Sequence, residues 1–443
     1  MNFLSGYGCD TWVAMKDVTT MDAVIFAKNS DRPLDDCQPL VYNPGSIWLE
    51  GDLLNLSYQK IPQARVTYAT IGSSPYWCWG YEEGVNEYGV AVGNEAIYTK
   101  PLKELKGAKN KGIREELGLL GMDLLRLGLE RGKTSREVLA VITKLVSKYG
   151  QWGSGFPGIN HLKGSYDNSF LIADGQEAWI LETVGRRWIA KRIDQGYAAI
   201  SNGPGIGTKW DLASPDIIDY AIEKGWWAEK KKESFNFAGA YADKKETLLN
   251  LAHWRAKKSA RLLEKEEKIS FKWMIKMAKT HLPPICMHKL PSGAGWVRTA
   301  SSAIVVIPLS EAGLVQFWWT PGPPCGGVYV PFFIDGNKVP EIVSRAGKAG
   351  KSITPAPEVT KDEFSPESYW WLMRKFFDDD KRKNETRKIF ARLQEKWLSK
   401  VGDIEKEAIN LKKDGKKEEC VDLLNNFTSS CINEVLSILS EKE

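Results

Sequence analysis

Gly8-Cys9-Asp10-Thr11-Trp12-Val13-Ala14 and, shortly afterwards, Val24-Ile25-Phe26-Ala27-Lys28-Asn29-Ser30-Asp31-Arg32-Pro33 decide how this 443-residue chain reads. Both runs are rich in β-branched and aromatic residues, and Asp22 between them marks a turn, so they read as a hairpin. Cys9 stands at the outer start of the first strand. Asn29, Asp31 and Arg32 stand at the far end of the second. Antiparallel pairing sets the start of one strand beside the end of the next, which places Cys9 within reach of Asp31. A thiol, a carboxylate and cations at one sheet edge form a candidate site.

The residues before Cys9 sharpen that reading. Met1 to Gly8 is too short, and lacks the basic start, for a secretory signal. Gly6 and Gly8 allow a sharp bend just ahead of the cysteine. Cutting the Gly8–Cys9 bond would give Cys9 a free α-amine, a base with an ordinary pKa of about 7.7–8.0 on the residue that carries the thiol. The spacing alone also allows Cys9 to be a small buried residue at a strand start.

Composition narrows the function classes. With 43% hydrophobic and 26% charged residues the chain reads as a soluble globular protein, and its net charge of +5 is spread out, which argues for no nucleic-acid partner. Seven cysteines suggest neither a disulfide framework nor a paired zinc motif, so a reducing, cytoplasmic setting is expected. Cys286-Met287-His288 has no second pair beside it and reads as structural, so neither metal nor cofactor is expected. No apolar run reaches the roughly 18 residues of a membrane span. Eighteen tryptophans, several in pairs such as Trp318-Trp319 and Trp370-Trp371, read as a large aromatic core.

Along the chain, Ser73-Ser74-Pro75-Tyr76-Trp77-Cys78-Trp79-Gly80 is an aromatic loop suited to lining a pocket, with Trp77 and Trp79 as substrate contacts. Asn86-Glu87-Tyr88-Gly89 supplies turn chemistry before a strand that ends at Asn94. Leucines from Leu117 to Leu129 mark a helix ended by Gly132, and Thr134 caps the next. Strands follow over Ser169–Asp174, Glu177–Val184 and Arg187–Ile193, and a fourth ends in Ile200-Ser201-Asn202. Residues 211–282 read as mostly helical, Ser301–Ile307 and Leu314–Thr320 as a strand pair, and Ile353–Pro357 as a linker. Residues 359–443 read as charged helices with amphipathic stripes, packed on the core. Strand runs enclosing helical runs imply an α+β fold of stacked antiparallel sheets covered by helices.

In this order the pieces resemble the secernins, in the dipeptidase-A group of cysteine peptidases among the N-terminal-nucleophile hydrolases. The likeness rests on Cys9-Asp10-Thr11, Lys28 to Pro33, Asn86 to Glu95, Ala173 to Thr183, Ile200-Ser201-Asn202, Ala300 to Ala303 and Pro324-Cys325, across roughly residues 9–335. It implies a four-layer αββα sandwich over residues 9–352, a propeptide of residues 1–8 and a helical C-terminal extension over 353–443. It further implies that Cys9 is the nucleophile, that Asp31 holds it and its amine, and that Asn94 and Asn202 donate to the tetrahedral intermediate. Bile-salt and penicillin V amidases of the same superfamily carry arginine at the position of Lys28, and lysine cannot make the same planar bidentate contact. Lys28 and Arg32 are the substrate-binding candidates of that cluster. A second amidase arginine has two candidate matches, Arg255 and Arg261.

The activity implied is amide hydrolysis, with small peptides as the first substrate class and N-acyl amides as the second. An unprocessed, non-catalytic scaffold stands as the alternative outside enzymes, and a homo-oligomer is left open. A papain-like Cys/His pair is a weaker reading, since His161, His253, His281 and His288 sit in no telling context.

Overall fold

The opening hairpin forms as the two apolar runs lead one to expect. In the computed structural model, which describes residues 8–108, 117–288, 297–310, 312–379 and 383–440, β1 (Asp10–Ala14) pairs antiparallel with β2 (Ala23–Pro33). Asp10 lies opposite Asn29, and Thr11 opposite Lys28. Every residue of β1 is buried because layers cover both of its faces. Of the expected propeptide, residues 1–7 lie outside the described residues.

Two large antiparallel sheets stack to form the body. One has eight strands, in the order Leu212–Ala213, Arg187–Ile193, Ala178–Val184, Asp167–Ala173, β3 (Ala91–Ile97), Glu83–Asn86, Thr70–Ser73 and Leu40–Asn43. The other has six, in the order β4 (Tyr197–Ile200), β1, β2, β5 (Val297–Pro308), Gln316–Pro321 and Val330–Phe333. The turn into β3 works as its sequence suggests. Asn86 Oδ1 accepts from the amides of Tyr88 and Val90, and Gly89 takes the positive φ of 75°.

Helices α1 (Gly121–Arg131) and α2 (Ser135–Tyr149) cover the outer face of the eight-stranded sheet, with Leu124, Leu127, Val138 and Ile142 packed against Val92, Phe170 and Leu181. Thr134 caps α2 by accepting from the Glu137 amide. The first helix begins at Gly121 rather than Leu117, because Gly118 and Leu119 donate instead to the carbonyls of Trp152 and Gly150. On the outer side of the six-stranded sheet lie α3 (Ala252–Glu264), α4 (Phe271–Ala278) and α5 (Tyr369–Asp379). Phe271 sits 5.0 Å from the Trp318 ring, and Trp370 Nε1 donates to the Ala300 carbonyl at 2.8 Å. The sequence-level α+β sandwich is the observed architecture.

Long helices α6 (Lys383–Lys413) and α7 (Lys417–Ser440) pair and rest on the edge strand Val330–Phe333. Asn425 donates to Gly336 O at 2.9 Å and Thr428 to Pro331 O at 2.8 Å. Residues 353–357 differ from the free linker expected of them. Ser352 and Thr354 donate to the Tyr76 and Trp77 carbonyls, and the Ala356 amide donates to the Tyr58 hydroxyl, so this stretch is a strap over the aromatic loop.

One irregularity sits where β2 meets β5. Thr299 lies opposite Asp31 and Ser301 opposite Ser30, so Ala300 is an extra residue, a bulge.

Candidate active site

Cys9 immediately precedes β1 and is 8% exposed. Its Sγ lies 3.3 Å from the Asp31 amide nitrogen, which donates to it, and 3.8 Å from the Asp31 carbonyl oxygen. The hairpin thus brings together the two residues that strand pairing predicted. Burial pushes the Cys9 thiol well above its ordinary pKa. Lys28 opposes that rise, and the carboxylates of Glu82, Asp31 and Glu95 add to it.

Asp31 Oδ1 accepts from Thr299 Oγ1 at 2.6 Å, while Oδ2 is buried without a hydrogen-bond partner among the described residues. Burial raises the Asp31 carboxyl well above the carboxylate range, and the Thr299 hydrogen bond only partly offsets it. The bulge at Ala300 is what turns Thr299 toward Asp31 and Ser301 toward Glu83 on the other sheet.

Arg255, on α3, is the arginine that reaches this site; Arg261 is exposed on the same helix. The Arg255 guanidinium donates to Cys9 O at 3.0 Å, to Asp10 Oδ2 at 2.8 Å and to Asn202 Oδ1 at 2.8 Å. Burial pushes the Asp10 carboxyl up to about 6, against the pull of Arg255. A Cβ built on Gly8 would stand 2.6 Å from Arg255 Cζ, so the residue before Cys9 has room only for hydrogen.

Asn202 stands just past a strand end and Asn94 in mid-strand, on either side of the inter-sheet space; the strand expected to end at Asn94 runs on to Ile97. Asn202 follows β4 and its Nδ2 donates to Ala96 O at 2.9 Å. Asn94 lies in β3 and its Nδ2 donates to Asn168 Oδ1 at 3.1 Å. Each carboxamide carries a second N–H beyond the one these bonds use. The start of α1 closes on this pair, since a Cβ on Gly121 would fall 1.8 Å from Asn168 Oδ1 and 2.8 Å from Asn94 Nδ2.

Lys28 and Arg32 are committed inside the protein. Lys28 Nζ contacts Glu82 O at 2.7 Å, Glu82 Oε2 at 3.2 Å and the Asn94 carbonyl. Burial would lower its pKa, but Glu82 and Glu95 outweigh that and hold the ammonium charged. Arg32 is shared among Glu82, Asp36 and the Gly155 carbonyl, at 2.9, 2.6 and 2.6 Å. Between the sheets, Thr11 Oγ1 donates to Glu95 Oε1 at 2.6 Å, and burial raises the Glu95 carboxyl to about 8.

The two tryptophans expected as substrate contacts in the aromatic loop are both buried. Trp77 is wholly buried and donates to Asp36 Oδ1 at 3.1 Å. Trp79 is buried too, with Arg126 stacked 4.0 Å from its ring centre. Both rings are held by core partners, and Arg32 is engaged by two carboxylates.

Sequence reasoning named Arg255 only as one of two options and missed Thr299, Glu82 and Asn168. Their signal was indirect: Thr299 adjoins the Ala300–Ala303 stretch, and Asn168 immediately precedes the strand read from Ser169. It also set aside Cys286-Met287-His288. The fold adds His281 and Cys325 to that pair, and the four ligand atoms lie within 4.8 Å of one another.

Buried thiol, carboxylate and carboxamides at one end of a two-sheet α+β sandwich describe a scaffold suited to acyl chemistry at cysteine. The family model of peptidase family C69 matches residues 54–272, a span that holds Asn94, Asn202 and Arg255 and starts beyond Cys9 and Asp31. Among solved structures, a mutant of conjugated bile acid hydrolase from Clostridium perfringens is similar, with a TM-score of 0.39 at 13% identity. That match covers 70% of this chain and 88% of the other. A Caenorhabditis elegans ortholog of N-acylethanolamine-hydrolyzing acid amidase gives a TM-score of 0.34 at 11% identity, covering 68% and 94% of the two chains. No helix among the described residues is long and apolar enough to cross a membrane.

Proposed function

We propose that this chain is a cysteine dipeptidase whose nucleophile is Cys9, freed as an N-terminal residue by self-removal of residues 1–8. The observation that carries the reading is the contact of the Cys9 thiol with the main chain of Asp31, a residue whose second carboxylate oxygen is buried with no hydrogen-bond partner among the described residues. The match of residues 54–272 to a peptidase family supports the reaction class.

In the uncut chain, burial keeps the thiol protonated against the pull of Lys28. Cleavage of the Gly8–Cys9 bond supplies an amine with an ordinary pKa near 8, and Asp31 supplies an acceptor for its ammonium form. The amine takes the thiol proton and the sulfur bonds to the carbonyl carbon of the substrate amide. The second N–H groups of Asn94 and Asn202 donate to the oxyanion; one such donor is worth about 10²–10³ in kcat. Collapse expels the amine product, which takes the proton back, and leaves a thioester. Water, deprotonated by the same α-amine, then releases the acid. Arg255 positions the Cys9 carbonyl and the Asn202 carboxamide.

The test pairs intact mass with turnover. Wild-type protein is expected to lack residues 1–8 and to hydrolyse dipeptides faster than N-acyl amino acids. Cys9→Ala is expected to stay full length and inactive. Turnover retained by Cys9→Ala overturns the nucleophile assignment, and a preference for N-acyl substrates moves the substrate class to N-acyl amides.

A further inference from the structure

A second cluster of chemically capable side chains lies on the helix side of the six-stranded sheet, outside the proposed active site. Helix α4 ends at Ala278, and the chain then folds back so that the amides of Ile285 and Cys286 both donate to Thr280 O. This places His281, Cys286 and His288 along one short loop. Their rings and sulfur face the turn Pro324–Gly326, which contributes Cys325. The His281 and His288 rings stand 5.0 Å apart at 75°, so their edges converge instead of stacking.

We propose that His281, Cys286, His288 and Cys325 form a structural zinc site. The donor set, two thiols and two imidazoles, is the soft and borderline mixture that Zn²⁺ takes in closed four-coordinate sites. Tetrahedral zinc, with Zn–N of about 2.0–2.1 Å and Zn–S of about 2.3 Å, sets its ligand atoms roughly 3.3–3.8 Å apart. The four atoms here all lie within 4.8 Å of one another, so small side-chain rotations complete the shell. The burial gradient fits metal entry from one side: Cys286 is buried, Cys325 and His288 are half-buried, and His281 is exposed. Four protein ligands leave no open position, which makes the site structural rather than catalytic.

The loop is already held in place on its other side. Asn29 Nδ2 donates to the carbonyls of Ala278 and Ile285, both at 2.9 Å. Met287, between two of the ligands, donates its amide to Thr299 Oγ1 at 2.9 Å and accepts from the Thr299 amide at 2.9 Å. Thr299 in turn holds Asp31. A bound zinc would pin this loop to the turn Pro324–Gly326 and so fix the support behind Asp31.

The experiment is elemental analysis of the full chain, purified without a metal-binding tag or chelator, together with cobalt substitution. The expected result is one zinc per chain in wild type and in Cys420→Ser, and loss of zinc in Cys286→Ser and Cys325→Ser. Cobalt-loaded wild type should show the ligand-field bands of a tetrahedral site and thiolate-to-cobalt charge transfer, a signature that does not depend on whether the variants fold. Absence of stoichiometric metal in zinc-replete wild type, with no cobalt signature, overturns the proposal. So does a Cys286–Cys325 disulfide in the peptide map. Dipeptide turnover does not enter the reading, so failure of the nucleophile assignment leaves this test intact.

Discussion

Replacing Arg255 by methionine isolates the electrostatics beneath the candidate nucleophile. The guanidinium is buried and is the cation bonded to Asp10, at 2.8 Å. With it in place, burial still lifts the Asp10 carboxyl from 3.8 to about 6. That rise costs ~3 kcal/mol at neutral pH, because the folded chain must hold ionised a group that prefers its proton. Without Arg255 the Asp10 pKa climbs further, and breaking a buried pair typically costs about 3–5 kcal/mol. The sign follows from proton binding. A folded-state pKa above the unfolded value means that stability falls as pH rises, and Arg255→Met widens that window upward from 6. Urea unfolding from about pH 8 down to about pH 5 should show Asp10's share of the loss shrinking by ~1.4 kcal/mol per unit and vanishing below about pH 6. A constant residue of about 1–3 kcal/mol remains, from the Cys9 carbonyl and Asn202 oxygen deprived of the guanidinium. Adding Asp10→Asn to Arg255→Met should remove the pH-dependent part. A loss that is flat with pH, or unchanged in the double variant, refutes the reasoning.

Three further outcomes follow from the geometry. Asn94→Ala and Asn202→Ala should each lower kcat by about 10²–10³ with KM little changed, read from steady-state dipeptide hydrolysis. Gly121→Ala places a methyl 1.8 Å from Asn168 Oδ1, so it should cost about 1–3 kcal/mol in urea unfolding and slow turnover by displacing Asn94. Gly8→Ala meets Arg255 at 2.6 Å, and self-removal of residues 1–8, followed by intact mass, should slow relative to wild type.

The parts that were legible in the sequence are those set by neighbours in the chain. Two apolar runs around a turn marked the β1–β2 hairpin, and antiparallel pairing with it the Cys9–Asp31 proximity; Asn86 and Gly89 announced their turn by local side-chain chemistry. What was illegible depends on partners far away. Trp77 and Trp79 look like pocket residues until Asp36 and Arg126 engage them, and Lys351 adds a cap by donating to the Cys78 carbonyl at 2.8 Å. Arg255 is one arginine among many on charged helices, and only the packing of α3 beside β1 and β4 selects it. The His281, Cys286, His288 and Cys325 cluster escaped for the same reason, since its fourth member comes from another element.

The extra residue at Ala300 acts as a parity switch within β5. Ahead of it the odd-numbered Thr299 faces Asp31 and the Met287 loop; beyond it the even-numbered Ser302 faces that side, reaching Asn29 Oδ1 at 2.6 Å. The odd-numbered Ser301 is thereby released to the opposite face, where it meets Glu83 and Ser73. Two hydroxyls only two positions apart therefore grip opposite layers of the sandwich. A displacement of β5 along its axis pulls on Asp31 and on the carboxylates between the sheets together, so the thiol and the inter-sheet charges are geared to one strand.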